Sequence, residues 1–330
     1  MLLITIVLFF VMYAAGCIVY ADKGFTRFQT FLNILINNAG LICITAGMTC
    51  VMLTGGIDIS VGSLVAMDCM ILAVGIEQWG WSSPVLMLLI LAIGIVFGIV
   101  QGFCISYLEI QPFIVTMAGM FFARGMTTIV NTNPFNVQNE AFVALMDSRV
   151  IVPGLGSVNK LGRYVDAYVE IGVVVALLVV ILMFIMLRWT KLGRSFYAVG
   201  GNQQSALMLG INVRRTKFLS HLICSLLAGI GGFVYFLHVG SGSASHAMGM
   251  ESNAIASSII GGTMRTGGVG NIIGTLFGVL SLSTIQNIVY SAGLDQAWWT
   301  GITIAAMLCL FLVIQSVVMS RKKKAQSLNK

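Results

Sequence analysis

Hydrophobic residues run along this chain in long unbroken blocks, and polar residues gather in the short gaps between them. A helix needs about 20 residues to cross a hydrocarbon layer about 30 Å thick. Ten runs approach that length, at about 2–20, 34–53, 60–76, 85–105, 112–130, 168–188, 217–239, 252–263, 269–290 and 298–319. The eighth is short. Barrel strands would alternate apolar and polar residues, and these runs do not. The pattern predicts an all-α polytopic membrane protein with about ten spans. They form one transmembrane domain over 1–320, followed by a basic tail over 321–330.

The fourth run carries Gly94, Gly98 and Gly102, and the ninth carries Gly270, Gly274 and Gly278. Glycines four apart share one helix face and let a neighbouring backbone approach closely. Tight helix packing is the direct reading. A sharper one makes the two runs matching members of an inverted repeat that relates spans 2–5 to spans 7–10. Runs three and eight should then correspond, and both are entered through polar stretches, "TGGIDISVGS" (54–63) and "GSGSASHAMGMES" (240–252). Irregular backbone at membrane depth is tolerated only where protein buries it or it lines a cavity, so paired interruptions point to a transport path. Two ordinary surface loops would give the same pattern.

Composition agrees with the membrane class: 58% of residues are hydrophobic and the mean hydropathy is +0.97, which excludes a soluble globular domain. The net charge of +7 raises nucleic acid as a partner, yet six Lys and Arg fall in 188–217 and five in 321–330, with no acid in either stretch. That is the bias of cytoplasmic loops, so nucleic acid is set aside in favour of membrane lipid. The expected topology puts the loop 189–216 and both termini in the cytoplasm and the loop 131–167 in the periplasm. Lys23 and Arg27, after the first span, oppose this, and the two denser basic stretches decide. Residues 1–20 lack a charged leader and a small-residue cleavage site, so they read as an anchor. The seven cysteines all fall in predicted spans without metal-like spacing, and read as packing residues.

Ionisable groups inside spans are costly unless they face a cavity or pair, which singles out Asp68 in run three and Arg124 in run five. Asp58 and Ser60 lie in the first polar stretch, Glu251 lies at the end of the second, and Asn253 directly follows that stretch. Phe113 follows Pro112, which suits the start of a helix. His221, His238 and His246 show no ligand spacing, and no phosphate-binding loop with a Gly-Lys pair occurs. No catalytic set is present, so the chain is not expected to be an enzyme and should bind no cofactor or metal itself. Between the basic residues of the 189–216 loop, Asn202 suits an N-cap, Gln203 to Leu209 make about two helical turns, and Gly210 suits the left-handed position that ends them. A helix this short must rest on something, either its own loop or a soluble partner.

Four motifs carry a resemblance: "GGIDISVGS" (55–63), "QPFIVTMAGMFFARG" (111–125), "GRSFYAVGGNQQSALMLGIN" (193–212) and "NAIASSIIGGTMRTGGVGNIIGTLFG" (253–278). Together they resemble the permease subunits of carbohydrate ATP-binding-cassette importers of the ribose, xylose and galactofuranose type, over about residues 30–318. The run that includes "AWWTGITIA" (297–305) is most similar to the galactofuranose branch.

The resemblance implies an inner-membrane sugar permease paired with a second permease chain, a sister rather than a copy. A cytoplasmic ATPase holding ATP and Mg would power it, and a periplasmic sugar-binding protein would feed it. Gly201, Asn202, Ser205, Ala206, Gly210 and Ile211 would form the coupling helix docked on the ATPase. Asp58, Ser60, Asp68, Phe113, Arg124, Glu251 and Asn253 are the candidate pathway residues. Asn253 stands where the family usually has an acid, Met264 and Arg265 replace a small pair, and Asp68 is not a family signature. An ion-coupled secondary transporter, or a permease for nucleosides, autoinducers or amino acids, is the competing reading.

Overall fold

The computed structural model describes residues 2–158, 164–294, 296, 298–311 and 313. The basic tail 321–330, and the end of the tenth run, lie outside the described residues. Every one of the ten apolar runs contains a helix: α1 (Leu2–Val19), α2 (Phe28–Leu53), α3 (Val61–Glu77), α4 (Ser83–Ser106), α5 (Pro112–Val130), then α7 (Ile171–Trp189), α10 (Val213–Val239), α11 (Met250–Ile260), α12 (Ile272–Ser291) and α13 (Trp298–Phe311). Seven of the described helices are long and apolar enough to cross a membrane; α3, α11 and α13 are shorter. The short ones follow polar stretches, where backbone that would have extended a helix is spent on turns.

The chain departs from a purely helical reading between the fifth and sixth runs. There α6 (Glu140–Met146) is capped by Asn139, whose side chain accepts from the Phe142 amide, and β2 (Arg149–Val158) pairs antiparallel with β3 (Tyr164–Glu170). β1 (Phe135–Asn136) pairs with β4 (Ser241–Gly242) just after α10. This segment leaves the continuous apolar pattern, and β-branched and aromatic residues at Val150, Ile151, Val152 and Tyr168 suit the ladder.

Two ends can be told apart by their cross-links. At the hairpin end, Lys23 reaches the Ser291 carbonyl, the Val137 amide donates to the Gly240 carbonyl at 2.9 Å, and Glu77 accepts from the amides of Gln138 and Asn139. At the opposite end, Gly268 N–H donates to the Leu53 carbonyl at 2.9 Å, Tyr197 Oη donates to the Gly270 carbonyl at 3.1 Å, and Arg214 pairs with Glu109 at 3.0 Å.

α2 and α10 form the centre. α2 is buried almost throughout its second half, and α10 packs on α2, α3 and α4, while α2 also packs on α11 and α12. Glycine makes this closeness sterically feasible. A Cβ at Gly94 would lie 2.9 Å from the Ser225 carbonyl oxygen, one at Gly98 would lie 2.7 Å from Leu222 Cα, and one at Gly102 would lie 3.0 Å from the Phe218 oxygen, all on α10. Gly274 and Gly278 meet a different neighbour, the backbone of α11 at Gly261 and Ser257. Gly270 is corrected: it precedes α12, because Asn271 caps that helix by accepting from the Ile273 amide. The ninth run therefore presents two glycines to one helix face, and the third belongs to the loop, against Thr263 and Leu53.

Candidate functional site

The stretch 54–60 is extended or turned, and its polar side chains point into the protein. Asp58 and Ser60 are 0% and 1% exposed. Asp58 Oδ1 accepts from the Ser60 amide at 2.9 Å and from Ser60 Oγ at 2.6 Å, and Gln101 Nε2 on α4 donates to Ser60 Oγ at 2.9 Å. A short Asx turn thus leads into α3, with a glutamine of another helix completing it. Gly119 on α5 closes over the pair, since a Cβ there would strike Gln101 Nε2 and approach Ser60 Cβ.

The second carboxylate oxygen of Asp58 faces His221 Nδ1 of α10 at 3.9 Å. Both atoms are buried with no nitrogen or oxygen within hydrogen-bond distance, and the Cys224 thiol borders the carboxylate. A buried polar group without a partner costs about 1–3 kcal/mol, so this arrangement is held by its surroundings rather than by its own bonds. Gln101 and His221 were not singled out as pathway residues from sequence. The apolar–polar pattern of α4 carried a signal for Gln101, the one amide in a run of apolar residues and glycines; nothing local marked His221.

The second polar stretch, 240–249, is tied down from α5. Arg124 Nη1 donates to the carbonyl oxygens of Ala244 at 2.8 Å and His246 at 2.9 Å. His246 in turn meets Ser241 Oγ at 3.0 Å and packs edge-on against Tyr235. Gly249, at φ +80°, turns the chain into α11 and sets Glu251 in its first turn. There Glu251 Oε2 is buried without a partner, directly over Gly62 of α3, and within electrostatic range of Arg124. The two polar stretches therefore meet at the starts of α3 and α11, where Gly62 lies against Glu251 and Ala247; the first stretch is buried at Asp58 and Ser60, while the second is exposed at Ser245, Met248 and Gly249.

The remaining candidates lie apart. Asp68 is 0% exposed against Gly232 of α10, with neither oxygen partnered. Phe113 stands on the exposed face of α5, and Asn253 is half-buried on α11. No described group of three or more His, Cys, Asp or Glu side chains is placed to hold a metal ion.

The 189–216 loop holds two helices rather than one. α8 (Lys191–Gly201) is capped by Thr190, and α9 (Gln203–Met208) by Asn202, whose side chain accepts from the Ser205 amide at 2.8 Å. At the other end the Gly210 amide donates to the Leu207 carbonyl and the Ile211 amide to the Ala206 carbonyl, with Gly210 at φ +77°. This is a Schellman ending, and only glycine adopts that backbone without strain. Ala206 is buried on Val199, Val213 and Ile211, which seats the helix, while Leu207, Met208 and Leu209 are 63%, 87% and 79% exposed. Gly201 and Ser205 are exposed beside them.

Long apolar helices around two polar breaks, with a capped helix presented at one end, define a polytopic membrane transport protein. The chain belongs to the family described as branched-chain amino acid transport system / permease component, whose model matches residues 30–312. It is a transport component and not an enzyme. It is 37% identical to the inner membrane ABC transporter permease protein YjfF of Escherichia coli K12, covering 88% of this chain and 85% of the relative. It is 33% identical to the fructose import permease protein FruG of Bifidobacterium longum, covering 96% and 91%, and 33% identical to the ribose import permease protein RbsC of Escherichia coli K12, covering 81% and 79%. No solved structure matches the chain.

Proposed function

We propose that this chain is the permease subunit of an ATP-binding-cassette importer that carries a sugar, galactofuranose or a related monosaccharide, across a bacterial inner membrane. The relatives named for fructose and ribose support a sugar, and the sequence motifs favour the galactofuranose form. A cytoplasmic ATPase binds ATP and Mg and docks on α9, a periplasmic binding protein delivers the sugar, and a sister permease completes the pair. The polypeptide crosses ten times with both termini inside. An inverted repeat of spans 2–5 and 7–10 is supported by the mirrored packing, in which α10 holds α3 and α4 as α2 holds α11 and α12.

The observation that carries the reading is the apolar tip Leu207, Met208 and Leu209, held out from the protein by a helix capped at both ends. Burying each such side chain contributes about 1.5–3 kcal/mol. The tip is also continuous with the interior: Gly200 abuts the Leu53 carbonyl and the Gly268 amide, so movement of α8 and α9 reaches the first polar stretch and the loop between α11 and α12 through backbone contacts. The test is co-purification of the ATPase with the tagged chain, repeated with Met208→Asp. Capture by the native chain and its loss in the variant is expected, with sugar uptake lost in parallel. Ion-driven uptake by the purified chain alone, blind to ATP, would sink the proposal.

A further inference from the structure

Where α7 turns into α8, the structure holds a groove of about 460 Å³ whose third wall is the start of α12. Phe184 and Leu187 of α7 and Ile272 of α12 line it with apolar surface, and Arg188 and Arg194 line it with charge. At 1.5 Å of rise per residue, Phe184 lies about 6 Å further into the span than Arg188, so the groove passes from basic to apolar toward the membrane interior. It borders a strip of α7 that nothing in the chain covers: Ile181, Leu182 and Ile185 are 58%, 55% and 41% exposed. Ile185 precedes Arg188 and Trp189 by three and four positions, so this strip and the basic end of the groove share one helix face.

No acid answers the two guanidiniums. Asp and Glu are absent from 188–217, and among the described residues neither arginine enters an ion pair. Arg194 Nη1 donates to the Trp189 carbonyl at 3.3 Å, which turns the side chain back over the α7–α8 junction and uses one of its five N–H groups. The end of α7 carries about half a negative charge, too little to balance both arginines. Tyr197 gives its hydroxyl proton to the Gly270 carbonyl and Asn271 accepts from the Ile273 amide, so the charge of the groove rests on Arg188 and Arg194. Trp189 completes the rim, 62% exposed, with its ring edge-on to Phe184 at 5.7 Å between centroids. Tryptophan at the end of an apolar helix is the residue of a membrane–water boundary.

We propose that this groove seats an anionic phospholipid, with its phosphate between Arg188 and Arg194 and its acyl chains along Phe184 and the exposed strip of α7. Guanidinium forks match phosphate oxygens two at a time, and both arginines have N–H groups to give. The apolar half of the groove selects a lipid over a soluble phosphate compound, which would set a polar ligand against Phe184 and Leu187. A lipid held in this way bridges the end of α7 and the first turn of α8, the helix that leads into α9.

Binding is read without transport, so the inference stands or falls apart from the import reading. The full transporter in detergent is titrated with phosphatidylglycerol, and with phosphatidylcholine as the neutral control, and bound lipid is counted by native mass spectrometry. Saturable binding of phosphatidylglycerol in preference to phosphatidylcholine is expected, about tenfold weaker in Arg188→Gln and in Arg194→Gln, each of which removes one charge-assisted contact and leaves the fold intact by circular dichroism. Lys191→Gln removes a charge that stands exposed between them but outside the groove, and should change binding less than about twofold. Millimolar inorganic phosphate should not displace the lipid. Equal binding by the native chain and the double Arg188→Gln, Arg194→Gln variant, or an equal loss in Lys191→Gln, overturns the proposal. So does displacement by inorganic phosphate, which makes the ligand a soluble anion, or loss of ATPase capture in the double variant with lipid binding unchanged, which makes the groove a protein contact.

Discussion

Among the described residues Arg124 is the one side chain that hydrogen-bonds α5 to the second polar stretch, so its removal should loosen 240–250 and little else. Its Nη1 donates to two carbonyl oxygens, at Ala244 and His246, with Glu251 in electrostatic range. A hydrogen bond to a charged group contributes about 1.5–3 kcal/mol, so two at the lower end amount to about 3 kcal/mol. Arg124 is half-buried, and solvent screening reduces that sum to an expected floor of about 1.5 kcal/mol, or roughly tenfold in the local opening equilibrium. Ala247 adds to the effect, because it is held at φ 54°, a left-handed backbone that a residue with a Cβ leaves when it is released. The measurement is amide hydrogen exchange by mass spectrometry in nanodiscs, comparing Arg124→Met with Arg124→Lys. Exchange at 243–250 should rise roughly tenfold or more in the Met variant and less in the Lys variant, which keeps the charge. Equal exchange in native chain and Arg124→Met, with the rest of the protein also unchanged, would refute the tether.

Three other changes test neighbouring parts of the argument. Gly98→Val drives a branched side chain into the Leu222 backbone and should cost about 1–3 kcal/mol, seen as a lower midpoint of thermal unfolding in detergent, whereas Gly125→Ala, with open space around it, should leave the midpoint in place. Gly210→Ala should lose about 1 kcal/mol of order in α9 and Gly210→Asn less, because asparagine tolerates the left-handed backbone; ATPase capture should fall in the order Gly, Asn, Ala. Gln101→Leu leaves Ser60 with Asp58 alone and should destabilise by about 1–2 kcal/mol, while Gln101→Glu, which sets a second carboxylate near Asp58 and removes the amide donor, should cost more, both read as a lower midpoint of thermal unfolding.

Local pattern made the helices legible. The apolar runs mark where helices lie, Pro112 and Asn202 mark where two begin, and Gly210 marks where one ends, because each of those residues acts on backbone within a few positions of itself. The site was legible only in part. Asp58, Ser60 and Glu251 stand out as acids and hydroxyls in broken stretches, but Gln101 and His221 join them from helices 41 and 163 positions away from Ser60 and Asp58. Such meetings depend on helix rotation and crossing, which periodicity does not encode. Gly270 was assigned to the wrong element for a related reason: spacing by four is blind to the Asn271 cap that starts α12 one position later.

The glycines around residue 200 suggest why the polar stretches are broken where they are. Gly55 and Gly267 both have positive φ, and Gly268 donates to Leu53, the last residue of α2. A side chain at Gly200 would strike that hydrogen bond from the α8 side. Three segments therefore touch backbone to backbone: the end of α2, the loop before α12, and the helix that leads into α9. Contact of this kind has no side chain to absorb displacement, so, if an ATPase docks on α9 as proposed, displacement of α9 would pass to the turn that holds Asp58 and to the loop that follows α11 together. Gly200→Ala tests this directly. If the joint transmits movement, the variant, whose new Cβ must push the Leu53 carbonyl and the Gly268 amide apart at a cost of about 1–3 kcal/mol in the unfolding midpoint, should still capture the ATPase, since Leu207, Met208 and Leu209 are untouched, yet ATP hydrolysis should lose its stimulation by sugar-loaded binding protein. Stimulation at the native level in a folded Gly200→Ala complex would show that the linkage runs elsewhere.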